Sequence, residues 1–366
     1  MFRVLKRSQK SGARLTRLTT PHGPIFGPAF MPIATRGAVK HLSGEDLRGL
    51  GASVVLSNTY HLMLRPGAAL LRRLGGLHRL MDWSGPMLTD SGGFQVYSLA
   101  RLRKVAEPGV TFADPQSGRR YHLTPELALQ VQAAIGSDLR MVLDECVGYP
   151  ATRAQLERAV RLTTAWARRS RAVWQRRRGG PLLLGIVQGG VDLGLRRQSA
   201  AEITALDFDG YAIGGLAVGE AREQMLRVLR AVVPRLPDDH PRYLMGVGRP
   251  QEIVAAVRLG VDLFDCVIPT REGRHGRLYV WRRGRSLAGG SFYTTLNITN
   301  ARFRSDRAPL DPHCLEDCCR RTTRAYLHHL FRIGEPLGPR LATLHNLRFY
   351  LDLMQRIRRE IRGGRL

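Results

Sequence analysis

Two kinds of apolar pattern alternate along the chain. Short apolar runs indicate buried strands, and apolar residues spaced three or four positions apart indicate helices with one apolar face. Eight runs predict strands at residues 28–35, 52–58, 86–91, 139–146, 182–188, 210–215, 243–247 and 262–268. The clearest helices are predicted at residues 124–135, 151–178, 192–206, 221–233 and 250–259.

The order of these elements indicates the fold class. Strands that alternate with helices are typical of a parallel sheet, and eight of them favour a closed (β/α)8 TIM barrel over an open, doubly wound sheet. No G-x-G-x-x-G sequence follows the first strand and the chain has no P-loop, which disfavours the folds that bind nucleotide cofactors. We therefore predict an α/β protein built on a TIM barrel.

Some segments do not follow the alternation. Residues 20–23 predict a turn between short strands, and residues 97–121 predict an excursion after the third strand. Further along come a glycine- and arginine-rich loop (282–290), a cysteine cluster, and helical segments at 322–333 and 346–361. We predict a catalytic TIM barrel with an N-terminal β segment (1–273), a basic loop with a metal-binding subdomain (274–345) and a C-terminal helix packed on the barrel (346–366).

Charge is the unusual part of the composition. Lysine and arginine number 57 against 30 aspartates and glutamates, for a net charge of +27, and only Lys6, Lys10, Lys40 and Lys104 are lysines. A GC-rich genome would explain arginine in place of lysine but not the net excess. Because guanidinium groups bind phosphate through two parallel hydrogen bonds, we expect a polyanionic partner, such as a nucleic acid.

The rest of the composition narrows the class of protein. Apolar residues make up 43% and charged residues 24%, which is typical of a globular protein and excludes a disordered chain. Five cysteines, three of them clustered at Cys314, Cys318 and Cys319, favour a reducing compartment with a metal site over a disulfide framework. We find no apolar run of the roughly 18 residues that a membrane span needs and no cleavable leader. We expect a cytoplasmic protein that does not bind membranes.

Polar residues and glycine pairs follow the predicted strands, where a barrel of this kind carries its active site. The third to eighth strands lead into Asp90-Ser91-Gly92-Gly93-Phe94-Gln95, Asp144-Glu145-Cys146, Gln188-Gly189-Gly190, Gly214-Gly215-Leu216, Met245-Gly246-Val247-Gly248 and Asp265-Cys266. One aspartate at a strand end is often only a helix cap or half of an ion pair. So many polar groups at successive strand ends favour one shared active site.

Carboxylates grouped in this way suit glycosidic-bond chemistry on a purine. Two carboxylates on either side of a sugar carbon can act as nucleophile and as proton donor and acceptor. A third carboxylate, beside a side-chain amide and backbone N–H groups, can bind the polar edge of the base. Gly214 and Gly215 would let the backbone approach closely. A barrel hydrolase that uses Asp265 against a free nucleoside is an alternative, but it has no need of the +27 charge.

Several of these motifs point to a known family. Asp90-Ser-Gly-Gly-Phe-Gln, Asp144-Glu-Cys, Gly185-Ile-Val-Gln-Gly, Gly210-Tyr-Ala-Ile-Gly-Gly-Leu-Ala-Val-Gly-Glu and Phe264-Asp-Cys-Val-Ile-Pro-Thr-Arg closely resemble those of the tRNA-guanine transglycosylase family, also called queuine tRNA-ribosyltransferases. The resemblance covers residues 21–365 in order. It implies a pentosyltransferase of queuosine biosynthesis, which replaces guanine at the anticodon wobble position of tRNA through a covalent enzyme–tRNA intermediate.

The resemblance also assigns site residues. It implies that Asp265 attacks the ribose C1′, and that Asp90 assists the departure of guanine and deprotonates the incoming base. The residues that it implies for base binding are Asp90, Ser91, Gly92, Gly93, Phe94, Asp144, Gln188, Gly215, Leu216 and Met245. Cys146 and Val218 match the bacterial enzymes, whose incoming base is 7-aminomethyl-7-deazaguanine (preQ1), rather than the eukaryotic enzymes, which take queuine.

The resemblance further implies how tRNA is bound. It indicates two glycine-containing loops, whose arginines and backbone N–H groups can meet phosphates. The first holds Gly246, Val247, Gly248, Arg249, Pro250, Gln251 and Glu252, and the second holds Thr270, Arg271, Glu272, Gly273 and Arg274. The implied substrates are tRNAs with GUN anticodons (Asp, Asn, His and Tyr), and a homodimer is implied in which the second subunit helps to hold the tRNA. Segment 282–295 is longer than in the family and either adds phosphate contacts or is a solvated loop.

A structural Zn2+ is implied near the C-terminus. The family holds zinc with a Cys-x-Cys-x-x-Cys run and a later histidine, a four-ligand set. Cys314, Cys319 and His345 match three of these ligands, but Glu316 stands where the middle cysteine is expected. Either Glu316 or Cys318 could supply the fourth ligand. Otherwise zinc binding is weakened or lost, and packing alone holds the subdomain together.

A function of another class is a catalytically silent relative that only binds RNA. Some family members have that role and lack the full catalytic set. Asp90, Asp144 and Asp265 are all present in this chain, which favours an enzyme.

Overall fold

The computed structural model describes residues 1–93, 103–282, 284–314 and 317–366, with residues 103, 288, 317 and 318 described by their backbone alone. Its strands are β1 (Phe2–Arg7), β2 (Arg14–Thr20), β3 (Gly23–Gly27), β4 (Ala29–Met31), β5 (Val55–Ser57), β6 (Met87–Thr89), β7 (Arg103–Ala106), β8 (Gly109–Ala113), β9 (Arg120–Leu123), β10 (Leu139–Met141), β11 (Leu182–Val187), β12 (Gly210–Ile213), β13 (Arg242–Leu244), β14 (Leu263–Asp265), β15 (Arg277–Trp281) and β16 (Tyr293–Asn297). Its α-helices are α1 (Gly44–Gly49), α2 (Thr59–Leu64), α3 (Ala68–Arg73), α4 (Leu77–Leu80), α5 (Pro125–Ile135), α6 (Arg153–Val173), α7 (Leu193–Thr204), α8 (Arg222–Val232), α9 (Pro250–Arg258), α10 (Ile268–Arg274), α11 (Asp317–Arg321), α12 (Arg324–Arg332) and α13 (Leu337–Arg362). Short 3-10 turns lie at Val233–Arg235, Leu287–Gly289 and Ala301–Phe303.

Eight of the strands form a parallel barrel. Around the barrel the order is β4, β14, β13, β12, β11, β10, β6 and β5. The ring closes where Ile33, just after β4, pairs in parallel with Leu56 of β5. There the Leu56 N–H donates to the carbonyl of Pro32 (2.9 Å), and the Ala34 N–H donates to the carbonyl of Leu56 (2.6 Å). The predicted (β/α)8 fold is confirmed. Most of the strands are shorter than the predicted runs, because the last residues of each run leave the sheet to line the mouth of the barrel.

Side-chain caps fix where the barrel helices begin. Thr124, Thr152 and Asp192 each accept a hydrogen bond from a backbone N–H in the first turn of α5, α6 and α7. Pro250 is the first residue of α9, where its missing N–H costs nothing. These helix starts agree closely with the predicted ones.

The predicted end of α6 at residue 178 is wrong. The helix ends at Val173, and Trp174 is already extended. The Arg140 guanidinium lies 5.6 Å from the centroid of the Trp174 ring, and Arg176 forms an ion pair with Asp209 (2.6 Å). The local sequence is compatible with a longer helix, but these contacts with neighbouring elements require an extended backbone after Val173.

The N-terminal strands form a separate antiparallel sheet, β1–β2–β3, with the predicted turn between β2 and β3. Arg14 of β2 is only 1% exposed, and its Nε and Nη2 donate to the two carboxylate oxygens of Asp262 (2.9 and 2.6 Å). Asp262 directly precedes β14, and its carbonyl accepts from Ala29 at the start of β4 (2.8 Å). The buried ion pair therefore ties this sheet to the N-terminal end of the barrel, opposite the mouth.

The excursion after the third barrel strand contains an antiparallel sheet, β7–β8–β9. The first residues of the predicted excursion, 97–102, lie outside the described part of the chain. The carbonyl of Glu107 accepts from the Trp166 indole (2.7 Å) and from Arg169 (2.9 Å), both on α6. The sheet is therefore fixed against α6, beside the mouth.

The C-terminal part consists of the β15–β16 hairpin and helices α11 to α13. The helix predicted at 322–333 is confirmed as α12, but the one predicted to begin at residue 346 begins at Leu337. Its first turns pack on the core as well, with Gly338 against Leu330 of α12 and with Leu341 and Leu344 partly buried. One continuous helix thus runs from the cysteine cluster to the barrel wall. Within the described residues, no helix is both long enough and apolar enough to cross a membrane.

Candidate active site and metal centre

Asp265 is the last residue of β14 and lies at the mouth of the barrel, where it is 8% exposed. Its Oδ1 accepts hydrogen bonds from the Tyr243 hydroxyl (2.6 Å) and the Gly246 N–H (2.8 Å). Burial raises the pKa of Asp265, and the two donors oppose that rise. Burial and the charge of Asp265 raise the pKa of Tyr243 well above its usual value, so the hydroxyl remains a donor. The result is a carboxylate oriented in a water-poor site, as a nucleophile requires.

Asp90 follows β6 directly and is held by two residues that follow β5. Its Oδ1 accepts the Thr59 N–H (2.8 Å), its Oδ2 accepts the side-chain amide of Asn58, and its carbonyl accepts the Thr59 hydroxyl. Hydrogen bonds to a carboxylate favour its charged form, which can take up a proton. Sequence reasoning missed Asn58 and Thr59, although the strand-end rule that selected Asp90 applies equally to the end of β5.

Asp144, Ser91 and Gln188 form a hydrogen-bonded row across the ends of three strands. The Ser91 hydroxyl donates to Asp144 Oδ1 (2.8 Å), and the Gln188 amide donates to Asp144 Oδ2 (2.7 Å). The N–H of Gly93, two residues after Ser91 and next to Gly92, donates to the Ser91 hydroxyl (3.1 Å). Burial raises the pKa of Asp144 despite these donors. The row presents a carboxylate and an amide in fixed orientations, which suits the polar edge of a purine.

The turn after β12 lies directly against this row. Gly215 has a φ of +61°, and a Cβ at this position would collide with Oε1 of Gln188. Only glycine combines this backbone conformation with so close an approach. Leu216, the next residue, is buried at 4% exposure. The structure therefore brings together the residues that were predicted at the ends of the third, fourth, fifth and sixth strands.

Arg196 of α7 supports the same turn from behind, and sequence reasoning missed it. Its buried guanidinium donates to the carbonyls of Gly190 (2.8 Å), Val187 (2.9 Å) and Gly215 (3.2 Å). Burial lowers the pKa of Arg196 to about 10. In the sequence, Arg196 is only an arginine next to the apolar face of a helix. Such an arginine is normally solvated, so the sequence does not indicate its buried role.

Glu220 closes the turn on its other side. Its carboxylate accepts the N–H groups of Ala217 (2.6 Å) and Val218 (3.0 Å).

Three other residues of the predicted base site have different surroundings. Cys146 is buried, and burial raises the pKa of its thiol to about 12, so the thiol is neutral. Met245 follows β13 and is partly buried against the core. Phe94, the other residue expected to stack on a base, lies outside the described residues.

The two segments predicted to contact RNA are adjacent, but they are not both loops. Residues 250–252 open α9, and residues 270–274 belong to the short helix α10, which Gly273 allows to approach the backbone of Ala342 on α13. Arg249 and Arg271 are exposed, whereas Val247, Gly248 and Thr270 are buried. The expectation of a second loop is thus wrong, because α10 is packed between the barrel and α13.

Three tyrosines of the C-terminal part donate hydrogen bonds to these two segments. The Tyr350 hydroxyl donates to the carbonyl of Gly248, the Tyr293 hydroxyl to Oε1 of Gln251, and the Tyr279 hydroxyl to Oε2 of Glu272 (2.6 Å). Burial raises the pKa of all three hydroxyls, so each remains a donor. The C-terminal part therefore supports both of the segments that carry the exposed arginines, through one backbone carbonyl and two side chains.

Cys314, Cys319 and His345 form a buried cluster in which the ligand atoms all lie within 4.8 Å of one another. Cys319 Sγ is 3.3 Å from His345 Nδ1, and His345 Nε2 donates to the carbonyl of Tyr279 (2.7 Å). That bond fixes the tautomer and leaves the Nδ1 lone pair for a metal. Two thiols and an imidazole are ligands that zinc prefers, so the cluster fits the expected metal. Glu316 and the side chain of Cys318 lie outside the described residues.

A second group of metal-capable side chains, His22, His78 and Asp138, lies at the opposite end of the barrel. The two imidazole rings stack with centroids 3.7 Å apart and an interplanar angle of 13°. His22 Nδ1 is only 2.8 Å from Asp138 Oδ1, which is a hydrogen bond. Parallel rings cannot both direct in-plane lone pairs at one ion, so this group is a hydrogen-bonded brace between the β2–β3 turn and the barrel.

A closed (β/α)8 barrel with buried carboxylates at the carboxyl ends of its strands defines an enzyme of the TIM-barrel class. The family described as queuine tRNA-ribosyltransferase matches residues 8–366, and the chain belongs to that family of pentosyltransferases. It is 50% identical over 365 residues to the queuine tRNA-ribosyltransferase of Desulforudis audaxviator (strain MP104C), covering 100% of this chain and 95% of that protein. It is 51% identical over 355 residues to the protein of the same name from Nitrosomonas europaea, covering 96% and 91%. The family predicted from the motifs is confirmed.

Proposed function

We propose that this protein replaces guanine at the wobble position of GUN-anticodon tRNAs with preQ1, as a step of queuosine biosynthesis. The observation that carries the proposal is the pair of carboxylates, Asp265 and Asp90, at one mouth. Both are buried at the carboxyl ends of barrel strands, Asp265 as the last residue of β14 and Asp90 directly after β6. Two carboxylates about one reacting carbon are what a double displacement with retention needs.

In the proposed first step, a carboxylate oxygen of Asp265 bonds to the ribose C1′ while the bond from C1′ to guanine N9 breaks. Asp90 supplies the proton that guanine takes up as it leaves. In the second step, Asp90 takes the N9 proton of the incoming base, whose N9 then bonds to C1′ as the ester to Asp265 breaks. The Asn58 and Thr59 donors to Asp90 support this second role, since they favour its charged form.

The row of Ser91, Asp144 and Gln188 supports binding of a guanine-like base. The Asp144 carboxylate would accept from the ring N–H and amino group, and the backbone at Gly215 and Leu216 would meet the opposite substituents. Gly92, Gly93, Phe94 and Met245 complete the proposed base site. The neighbouring Cys146 and Val218 favour preQ1 over queuine as the incoming base.

Binding of tRNA is proposed for the two adjacent segments, Gly246 to Glu252 and Thr270 to Arg274. The exposed Arg249 and Arg271 and the +27 net charge support it, because phosphate contacts dominate the affinity of RNA-binding proteins. Membership of the family supports a homodimer, in which the second subunit helps to hold the tRNA, and a cytoplasmic location. A structural zinc at Cys314, Cys319 and His345 would cross-link the C-terminal part beneath these segments.

The test is exchange of labelled guanine into unmodified tRNA with a GUN anticodon, using the purified protein. We expect label only at the wobble position, none in a matched tRNA with adenine there, and stronger competition by preQ1 than by queuine. The variant Asp265→Asn should bind tRNA but form no denaturation-resistant adduct with it. Intact tRNA binding without any exchange would favour the silent RNA-binding protein, and exchange of free nucleosides alone would favour the barrel hydrolase.

A further inference from the structure

The N-terminal sheet has an outer face that plays no part in the proposed reaction. Its inner face carries Leu18 and Ile25, a directly opposed pair that is buried at 3% and 1% exposure. Successive side chains of a strand point to opposite faces, so the next pair, Arg17 and Phe26, points away from the barrel. Both residues of that pair are exposed. The sheet therefore presents a second, solvent-facing surface at the end of the barrel opposite the mouth.

Three exposed side chains form a row across this outer face. Arg17 of β2 lies directly opposite Arg3 of β1 on one side and Phe26 of β3 on the other. Directly opposed residues of an antiparallel sheet have Cβ atoms about 4.5–5.5 Å apart, so Arg17 is in reach of both neighbours. The Phe26 ring is 47% exposed. We call these three residues the outer platform.

The arginines of the outer platform are not neutralised by the described part of the chain. Arg7, at the end of β1, pairs with Asp238 (2.8 Å), but neither Arg3 nor Arg17 forms an ion pair with any described residue. The Arg3 side chain donates to the sulfur of Met1 (3.2 Å). Like charges that are directly opposed in a sheet destabilise it, and an exposed phenyl ring keeps apolar area in water. A bound polyanion that carries flat apolar groups would offset both costs.

The end of α13 adds positive charge beside the outer platform. Arg358 Nη1 donates to the carbonyls of Phe26 (3.4 Å) and Pro28 (2.7 Å), which fixes β3 against α13. One turn further along, Arg362 is exposed, and its carbonyl accepts the Lys6 ammonium (2.7 Å). Neither Lys6 nor Arg362 has a carboxylate partner within the described ranges. The exposed ring therefore lies on a positively charged surface.

We propose that the outer platform binds single-stranded RNA, with a base stacked on Phe26 and phosphates bound by Arg3 and Arg17. Proteins bind unpaired RNA by stacking its bases on exposed aromatic side chains and by placing basic side chains along its backbone. An acidic protein would complement the charges but gives no reason for an aromatic ring among them. The bound strand belongs either to the substrate tRNA or to another RNA, and the experiment separates the two sources.

The probe is a uridine oligomer of about 10 nucleotides, which contains no guanine to exchange. All variants carry Arg249→Gln and Arg271→Gln, so that binding at the mouth does not hide the effect. Affinity is measured by fluorescence anisotropy over a series of salt concentrations, because the slope of log K against log salt changes by about 0.7 for each phosphate contact of a single strand. We expect Arg3→Gln with Arg17→Gln to reduce that slope by about 1.4. Phe26→Ala should weaken binding at least about fivefold at constant slope, and Phe26→Trp should restore it.

Arg161→Gln with Arg168→Gln is the matched control. Both arginines are exposed on α6, and both lack an ion pair among the described residues. The control variant therefore removes the same charge from another surface and should change neither the slope nor the affinity. A glutamate oligomer of the same charge, which has no bases to stack, should compete poorly with the uridine oligomer. Because all the substituted residues are exposed, thermal unfolding should be unchanged in every variant.

The exchange assay identifies the source of the strand. A higher KM for tRNA in the variant of Arg3 and Arg17 would show that the substrate tRNA reaches the outer platform, and an unchanged KM with weakened oligomer binding would show that a second RNA binds there.

Several results would overturn the proposal. Full affinity in Phe26→Ala, equal losses in the α6 control, or equal competition by the glutamate oligomer would each refute an RNA-stacking surface. A change in oligomeric state in Phe26→Ala, with RNA binding intact, would make this face a contact between copies of the chain. Guanine exchange by the unsubstituted protein tests the proposed function separately, so either proposal can fail alone.

Discussion

Replacement of Tyr243 by phenylalanine removes one of the two donors to Asp265 and little else. The hydroxyl lies 2.6 Å from Asp265 Oδ1, and Tyr243 is only 1% exposed, so water cannot take its place without disrupting the barrel. A hydrogen bond to a charged group is worth about 1.5–3 kcal/mol. Burial already raises the pKa of Asp265, and the hydroxyl opposes that rise. Its removal must therefore raise the pKa further.

The sign of the effect on activity follows from the form that reacts. In the proposed reaction only the ionised carboxylate attacks C1′, so a higher pKa of Asp265 moves the acid limb of the pH–activity profile to higher pH. At 1.36 kcal/mol per pH unit, we expect a displacement of about one to two units in Tyr243→Phe. The alkaline limb should stay in place, because Tyr243 is not expected to exchange protons with the substrate.

The assay is the pH dependence of kcat/KM for guanine exchange, which reports the ionisations of the free enzyme. The matched control is Tyr211→Phe on the adjacent strand β12, whose buried hydroxyl is 3.5 Å from the carbonyl of Thr204 and far weaker as a donor. An acid limb that does not move in Tyr243→Phe, or that moves equally in both variants, would refute the assignment of Asp265 as the group that must be ionised.

Three further substitutions test other parts of the structure. Gly215→Ala adds about 1–2 kcal/mol of backbone strain and places a Cβ against the side chain of Gln188. We expect KM for free guanine to rise at least about tenfold. An unchanged KM would show that this turn does not contact the base. Asp262→Asn removes the buried counter-charge of Arg14 and leaves it only the exposed Asp238 (3.4 Å), so the free energy of unfolding in urea should fall by about 3–5 kcal/mol. A loss below about 1 kcal/mol would contradict the role given to the buried pair. Tyr350→Phe leaves the carbonyl of Gly248, in a segment proposed to contact RNA, without its donor. At about 1 kcal/mol, this should raise KM for tRNA about fivefold while KM for guanine stays constant, and equal changes in both would indicate general destabilisation.

The barrel could be predicted because its strands are buried on both sides, so that each leaves a short, continuous apolar run in the sequence. The grouping of the candidate site residues could be predicted for a related reason. In a parallel barrel all the strands end at the same mouth, so Asp90, Asp144 and Asp265 are brought together by topology, whatever their distance along the chain. The same rule could have identified Asn58 and Thr59.

Other features depend on contacts that leave no local pattern. Arg196 serves three carbonyls that come from two different strand ends, and nothing in the sequence around it distinguishes it from the many solvated arginines. The early end of α6 depends on the side chains that meet Trp174 and Arg176.

The position of α13 has a consequence for how the protein is made. Its Tyr350 packs against Phe30 of β4, with ring centroids 5.0 Å apart, although about 320 residues separate them along the chain. The other neighbour of β4, the strand β14, is also synthesised about 230 residues later. At roughly 5–20 residues per second, a ribosome needs about 16–64 s to pass from Phe30 to Tyr350. Until then the first barrel strand has an unpaired edge and an uncovered apolar face, which together favour aggregation. The barrel can therefore close fully only after α13, the helix that also carries His345, has been synthesised.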